Sequence, residues 1–148
     1  MGRMMRTAAT LSALLAAAPA TAWEFTATPV CTLSHDAGGS AWEVTYDPGP
    51  GLYAIAITLS EGVWPEAAVF SIGFEGGRSL IISTDRHVLS EGGGTLTVTD
   101  RGFGNVLDGL EFNAAARAFT GDGEAIAELE GAAPEVQAFR ACILGGLA

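Results

Sequence analysis

Two histidines and two Asp-Arg pairs hold most of the chemistry that this chain offers. His35 stands next to Asp36, and His87 follows Asp85-Arg86. An imidazole beside a carboxylate can pass a proton, or bind Zn²⁺ if further ligands converge. The tripeptide Thr-Asp-Arg occurs twice, at Thr84-Asp85-Arg86 and Thr99-Asp100-Arg101, and each copy closes a strand-like run. If the intervening runs pair as hairpins, both copies come to one edge of a sheet. An arginine fork there can hold a carboxylate ligand. Asn105, with Asp108 and Asn113 behind it, extends this polar set. The same residues also have a structural reading. Asp and Asn cap turns and satisfy nearby backbone groups, arginines pair with surface acids, and histidines pack as neutral rings.

Several catalytic patterns are missing. There is no H-E-x-x-H, no C-x-x-C and no G-x-S-x-G, and Asp122-Gly123-Glu124 lacks the alternating ligands of a calcium loop. The candidate ligand-binding set is therefore Asp85, Arg86, His87, Asp100, Arg101 and Asn105. No catalytic residue, metal ligand or cofactor is assigned.

Strands must position these groups. Apolar and polar residues alternate in Val30–His35, Ala41–Tyr46, Leu52–Leu59, Val69–Phe74, Ser79–Thr84 and Thr95–Thr99. Turn residues separate the runs: Asp36–Ser40, Asp47-Pro48-Gly49-Pro50-Gly51, Gly76-Gly77-Arg78 and Glu91–Gly94. In Leu52–Leu59, small Ala54, Ala56 and Thr58 oppose Tyr53, Ile55 and Ile57, which predicts a central strand covered on both faces. Ala116–Thr120 and Glu124–Leu129 read as a last hairpin across Gly121-Asp122-Gly123. The class is mainly β, a single-domain antiparallel sandwich or small barrel.

Two helical segments interrupt it. Phe103, Val106, Leu107 and Leu110 recur at i, i+3, i+4 and i+7, predicting one or two helical turns near 104–112 with Asn105 as the cap. Gly104 and Gly109 each weaken a helix by about 1 kcal/mol, so an irregular loop competes with that reading. A C-terminal helix starts near Pro134-Glu135, shows Val136, Phe139 and Ile143 on one stripe, and stops at Gly145-Gly146.

The N-terminus reads as a secretory signal. Arg3 and Arg6 precede the apolar run Ala8–Ala18, and Ala20-Thr21-Ala22 is a cleavage site. Residues 1–22 are expected to leave, giving a single domain of residues 23–148 in the periplasm or outside the cell, with no membrane insertion of the mature chain. In that compartment the two cysteines, Cys31 and Cys142, read as a disulfide. Closing so long a loop stabilises by about 4–5 kcal/mol in the chain-entropy model. All seven basic residues are arginine against 17 acids, a net charge of −10 that becomes −12 without Arg3 and Arg6. Such a surface repels phosphate backbones and anionic lipid, which excludes nucleic-acid partners.

The segments VCTLSH, VTYDP, FEG, STDRH, TLTVTDRGFGNVLDGLEFN and GAAPEVQAFRAC, in this order, resemble a family of small exported bacterial proteins of uncharacterised function. TVTDRGFGNVLDGLE and AFRAC are its most specific parts. Members often bear the label of the helicase component of the ABC excinuclease. A helicase-type repair protein needs a phosphate-binding loop whose lysine reaches the phosphates, and this chain has no lysine. The resemblance implies no catalytic or binding residues. Three functions follow from the residues. The first is an exported, non-enzymatic binding or accessory module for a protein partner or small ligand. The second is a small hydrolase or metal-dependent enzyme using His35 or His87 with Asp85 or Asp100 at a sheet rim. The third is a structural envelope protein.

Overall fold

The computed structural model describes residues 22–145 of the chain. The expected signal segment lies outside them except for Ala22, as does Gly146. Ten strands and two helices follow in the order β1 (Glu24–Thr26), β2 (Cys31–Asp36), β3 (Ser40–Asp47), β4 (Leu52–Leu59), β5 (Phe70–Glu75), β6 (Leu80–Thr84), β7 (Val88–Ser90), β8 (Thr95–Asp100), α1 (Gly104–Glu111), β9 (Ala115–Thr120), β10 (Gly123–Glu128) and α2 (Ala132–Gly145). The turns use short polar side chains. The Gly49 N–H donates to Asp47 Oδ1 at 3.0 Å, and Gly51 takes a φ of 70° to swing β3 into β4.

The strands form two separate sheets, which settles the architecture as a sandwich and not a barrel. One is ordered β1-β2-β3-β4-β8-β7 and the other β10-β9-β5-β6, with antiparallel pairing throughout. Register places the inward residues of the first sheet in rows. Leu33, Val44, Ile55 and Val98 share one row, and Cys31, Tyr46, Tyr53 and Asp100 share the row beside it. Phe70, Ile72, Phe74, Ala116, Ala118, Ala125 and Ala127 face them from the second sheet and are buried. Small alanines on β9 and β10 let the sheets approach closely there. β4 is central, as its pattern predicts, but its Ala face is not covered: Ala54 and Ala56 are half-buried and Thr58 is exposed. The sandwich has two layers, and that face looks outward.

The helices close one end. Cys31 at the start of β2 is bonded to Cys142 of α2, with Cα atoms 6.0 Å apart. α2 begins at Ala132, two residues before Pro134, which still lies in the first turn, where a missing N–H costs no helical bond. Glu135 accepts the Phe25 N–H at 3.0 Å, tying the helix to β1. Arg140 reaches across to α1, donating to Asp108 Oδ1 at 2.7 Å and Glu111 Oε1 at 3.1 Å. The expected helix over 104–112 is present as α1, with a correction at its start. Phe103 holds the cap position, no side chain bonds the first turn, and Asn105 is the second helical residue. Gly109 is where α1 touches the second sheet. A Cβ there would run into the Phe74 ring, so glycine serves close packing at a position that propensity alone reads as weak.

Candidate functional site

The chain crosses between the sheets at Asp85–His87, since β6 belongs to one sheet and β7 to the other. This changes the geometry expected of the two Thr-Asp-Arg copies. They do not close a hairpin on one sheet edge. One ends β6 and the other ends β8, in facing sheets, and a cleft of 470 Å³ opens between them.

Three of the six candidate residues line this cleft: Arg86, Asp100 and Asn105. Arg86 comes from the crossing, where its N–H donates to Thr84 Oγ1 at 3.1 Å and bends the chain. Asp100 is exposed and stands at the end of the row that includes Tyr53, on the side of the sheet where the cleft opens. Its Oδ1 accepts the Arg101 N–H at 2.6 Å. Asn105 projects from the first turn of α1 and is exposed. Asp85 and Arg101 are exposed and are not among the lining residues. The Asp100 side chain thus bonds within its own turn, as does Thr84 at the crossing, while the side chains of Arg86 and Asn105 make no ion pair or hydrogen bond among the described residues.

His87 is half-buried and packs against Phe70, ring centroids 6.0 Å apart, behind a residue that forms the cleft wall. Its Nδ1 is buried and has no hydrogen-bond partner among the described residues. His35 lies on the other side of the sandwich, stacked on Trp23 at 4.8 Å, and Trp23 Nε1–H donates to the Glu128 carbonyl on β10. The placement does not pair the two imidazoles. Among the described residues no group of three or more His, Cys, Asp or Glu side chains is placed to hold a metal ion.

The rest of the cleft escaped the residue-by-residue reading. Its floor is Ile55, Phe70, Ile72, Ile82, Val98, Phe103 and Val106. In the sequence these are inward strand and helix positions and look like ordinary core. The glycines carried the available signal. A Cβ added at Gly102 or Gly104 would meet nothing within 4 Å, so this corner presents bare backbone and open space. Tyr53 backs the floor, stacked on Phe103 at 5.3 Å. Burial, and next the neighbouring Tyr46, push its phenol above the ordinary value of 10.0, while Arg140 pulls the other way. Asn113, read with this set, has a structural task instead: its Nδ2 donates to the carbonyls of Arg78 and Gly109. Asp108 serves Arg140.

No family model, curated protein or solved structure matches the chain.

Proposed function

We propose that the protein is an exported, non-enzymatic binding module that receives a small ligand in the cleft between its sheets. The observation that carries this reading is the cleft itself: an apolar floor with Arg86, Asp100 and Asn105 at its rim. Its 470 Å³ falls within the range of about 300–1,000 Å³ typical of small-molecule sites, which share this pattern of apolar lining with a few polar groups. No histidine is among the lining residues, so the groups that meet here suit recognition better than proton transfer. The disulfide and the signal-like N-terminus support an oxidising compartment, with the mature chain starting at Trp23. No helix among the described residues is long and apolar enough to cross a membrane.

The test uses protein extracted from the periplasm, where its N-terminus should read Trp23, and the neutral apolar dye Nile red. Saturable binding of one dye per chain is expected. Ile82→Trp fills the floor and Asn105→Trp blocks the rim, and each should weaken binding by about tenfold or more. Asn105 is exposed, so its substitution leaves the core intact should Ile82→Trp misfold. Dye affinity unchanged in a folded blocking variant, or no saturable binding by the wild type, would remove the cleft reading.

A further inference from the structure

We infer that the ligand is an amphipathic monocarboxylate, with its carboxylate on Arg86 and its apolar body on Ile72, Ile82 and Val98. The inference rests on the cleft reading and adds the chemistry of the head group.

The starting observation is where the arginines find partners. The chain after residue 22 carries five of them among 17 acids. Arg117 pairs with Glu124, and Arg140 with Asp108 and Glu111. Arg78 lies over the Phe112 ring, 4.3 Å from its centroid. Among the described residues, the side chains of Arg86 and Arg101 make no ion pair or hydrogen bond. Where acids outnumber arginines threefold, these two guanidinium groups stand unpaired, and both belong to the segments that frame the cleft. Among the described residues, Arg86 is the only cation lining it.

Asp100 lines the same rim and sets a negative charge beside the guanidinium of Arg86. One Asp100 oxygen is already bonded to the Arg101 N–H, which reduces its capacity for a ligand cation. Every side-chain donor of Arg86 is open, and Asn105 adds an amide on the α1 side. A guanidinium fork matches the two oxygens of a carboxylate. A dianion would meet the Asp100 charge more strongly than a monoanion does, which favours a carboxylate over a phosphate monoester. The floor below Arg86 is apolar, with Ile55, Ile72, Ile82, Val98 and Val106 beside the rings of Phe70 and Phe103, which favours a hydrocarbon body for the rest of the ligand.

Three probes with one tail and three heads test this: decanoate, decan-1-ol and decyltrimethylammonium, each titrated calorimetrically into the disulfide-bonded protein. Decanoate should bind most tightly. Arg86→Gln should weaken it by about tenfold or more while leaving decan-1-ol unchanged. Arg86→Lys keeps the charge without the fork and should fall between. Arg101→Gln should have the smaller effect, because that residue does not line the cleft. If decan-1-ol binds as well as decanoate, or decyltrimethylammonium binds best, or Arg86→Gln leaves decanoate unaffected, the head-group inference falls and the cleft reading survives. If no probe binds and the blocking tryptophans leave Nile red unaffected, both fall.

Discussion

One methyl group at Gly109 sets how closely α1 can approach the second sheet. The added Cβ would collide with Phe74, which is buried in the core. Gly109→Ala gains about 1 kcal/mol of helix propensity but overpacks a tight contact, which costs about 1–3 kcal/mol. A net loss near 1 kcal/mol is expected, read as a lower urea midpoint with an unchanged slope. At Tyr53 the relevant variable is pH. Its phenol is raised above 10.0 in the folded protein, chiefly by burial. The folded state then holds this proton more tightly than the unfolded chain does. Stability from this group is unaffected below pH 10 and declines as pH rises beyond 10. Alkaline melts of Tyr53→Phe should show a shallower decline than wild type; an identical decline would show that Tyr53 does not cause it. Side-chain roles are only partly legible in the sequence. Asp100 lines the cleft and also bonds within its own turn, and both tasks follow from one carboxylate at a strand end. Asn105 has the residue type of a helix cap, yet the cap falls two residues earlier, at Phe103, and leaves Asn105 exposed in the first turn.

Strand positions are legible because alternation is a local property. Trp42, Val44, Ile55, Ile57, Phe70, Ile72 and Phe74 face inward as their spacing predicts. Sheet membership is not local. β6 and β7 are separated by three residues, a spacing that suits a hairpin, but β6 pairs with β5 and β7 with β8. The difference arises from long-range pairing of β5 with β9, which draws β5 and β6 into the second sheet. That one choice puts the two Asp-Arg copies in facing sheets, so that Arg86 of one and Asp100 of the other line a cleft between them. The cleft is hidden from the sequence for a related reason. Ile82 and Val98 have the pattern of core residues, and whether such residues end up covered depends on the length and angle of α1, which spans only eight residues. The Arg140 bonds to Asp108 and Glu111 hold that angle by linking α1 to α2.

The fold as a unit is closed by the Cys31–Cys142 bridge across a separation of 111 residues. Loss of so long a constraint costs about 4–5 kcal/mol in the chain-entropy model. Wild-type protein should melt about 10–20 °C lower under reducing conditions, and Cys31→Ala/Cys142→Ala should match the reduced wild type with no response to reductant. Equal melting of oxidised and reduced protein would show that helix packing alone holds the ends. Charge acts at this scale too: with 17 acids against seven arginines the chain carries a net charge of −10, a field that repels phosphate-rich surfaces.

The same bridge has a mechanical consequence. It sits near both ends of the described chain, between β2 and the last turns of α2. Tension applied between residues 22 and 145 therefore runs through a covalent link in series. Only β1 with its connection to Cys31, and the last residues of α2, can extend under load. Once β1 has peeled from β2 and released its bonds to Glu128 and Glu135, further tension passes through the bridge, and the remaining strands with the cleft between them lie inside the bridged loop.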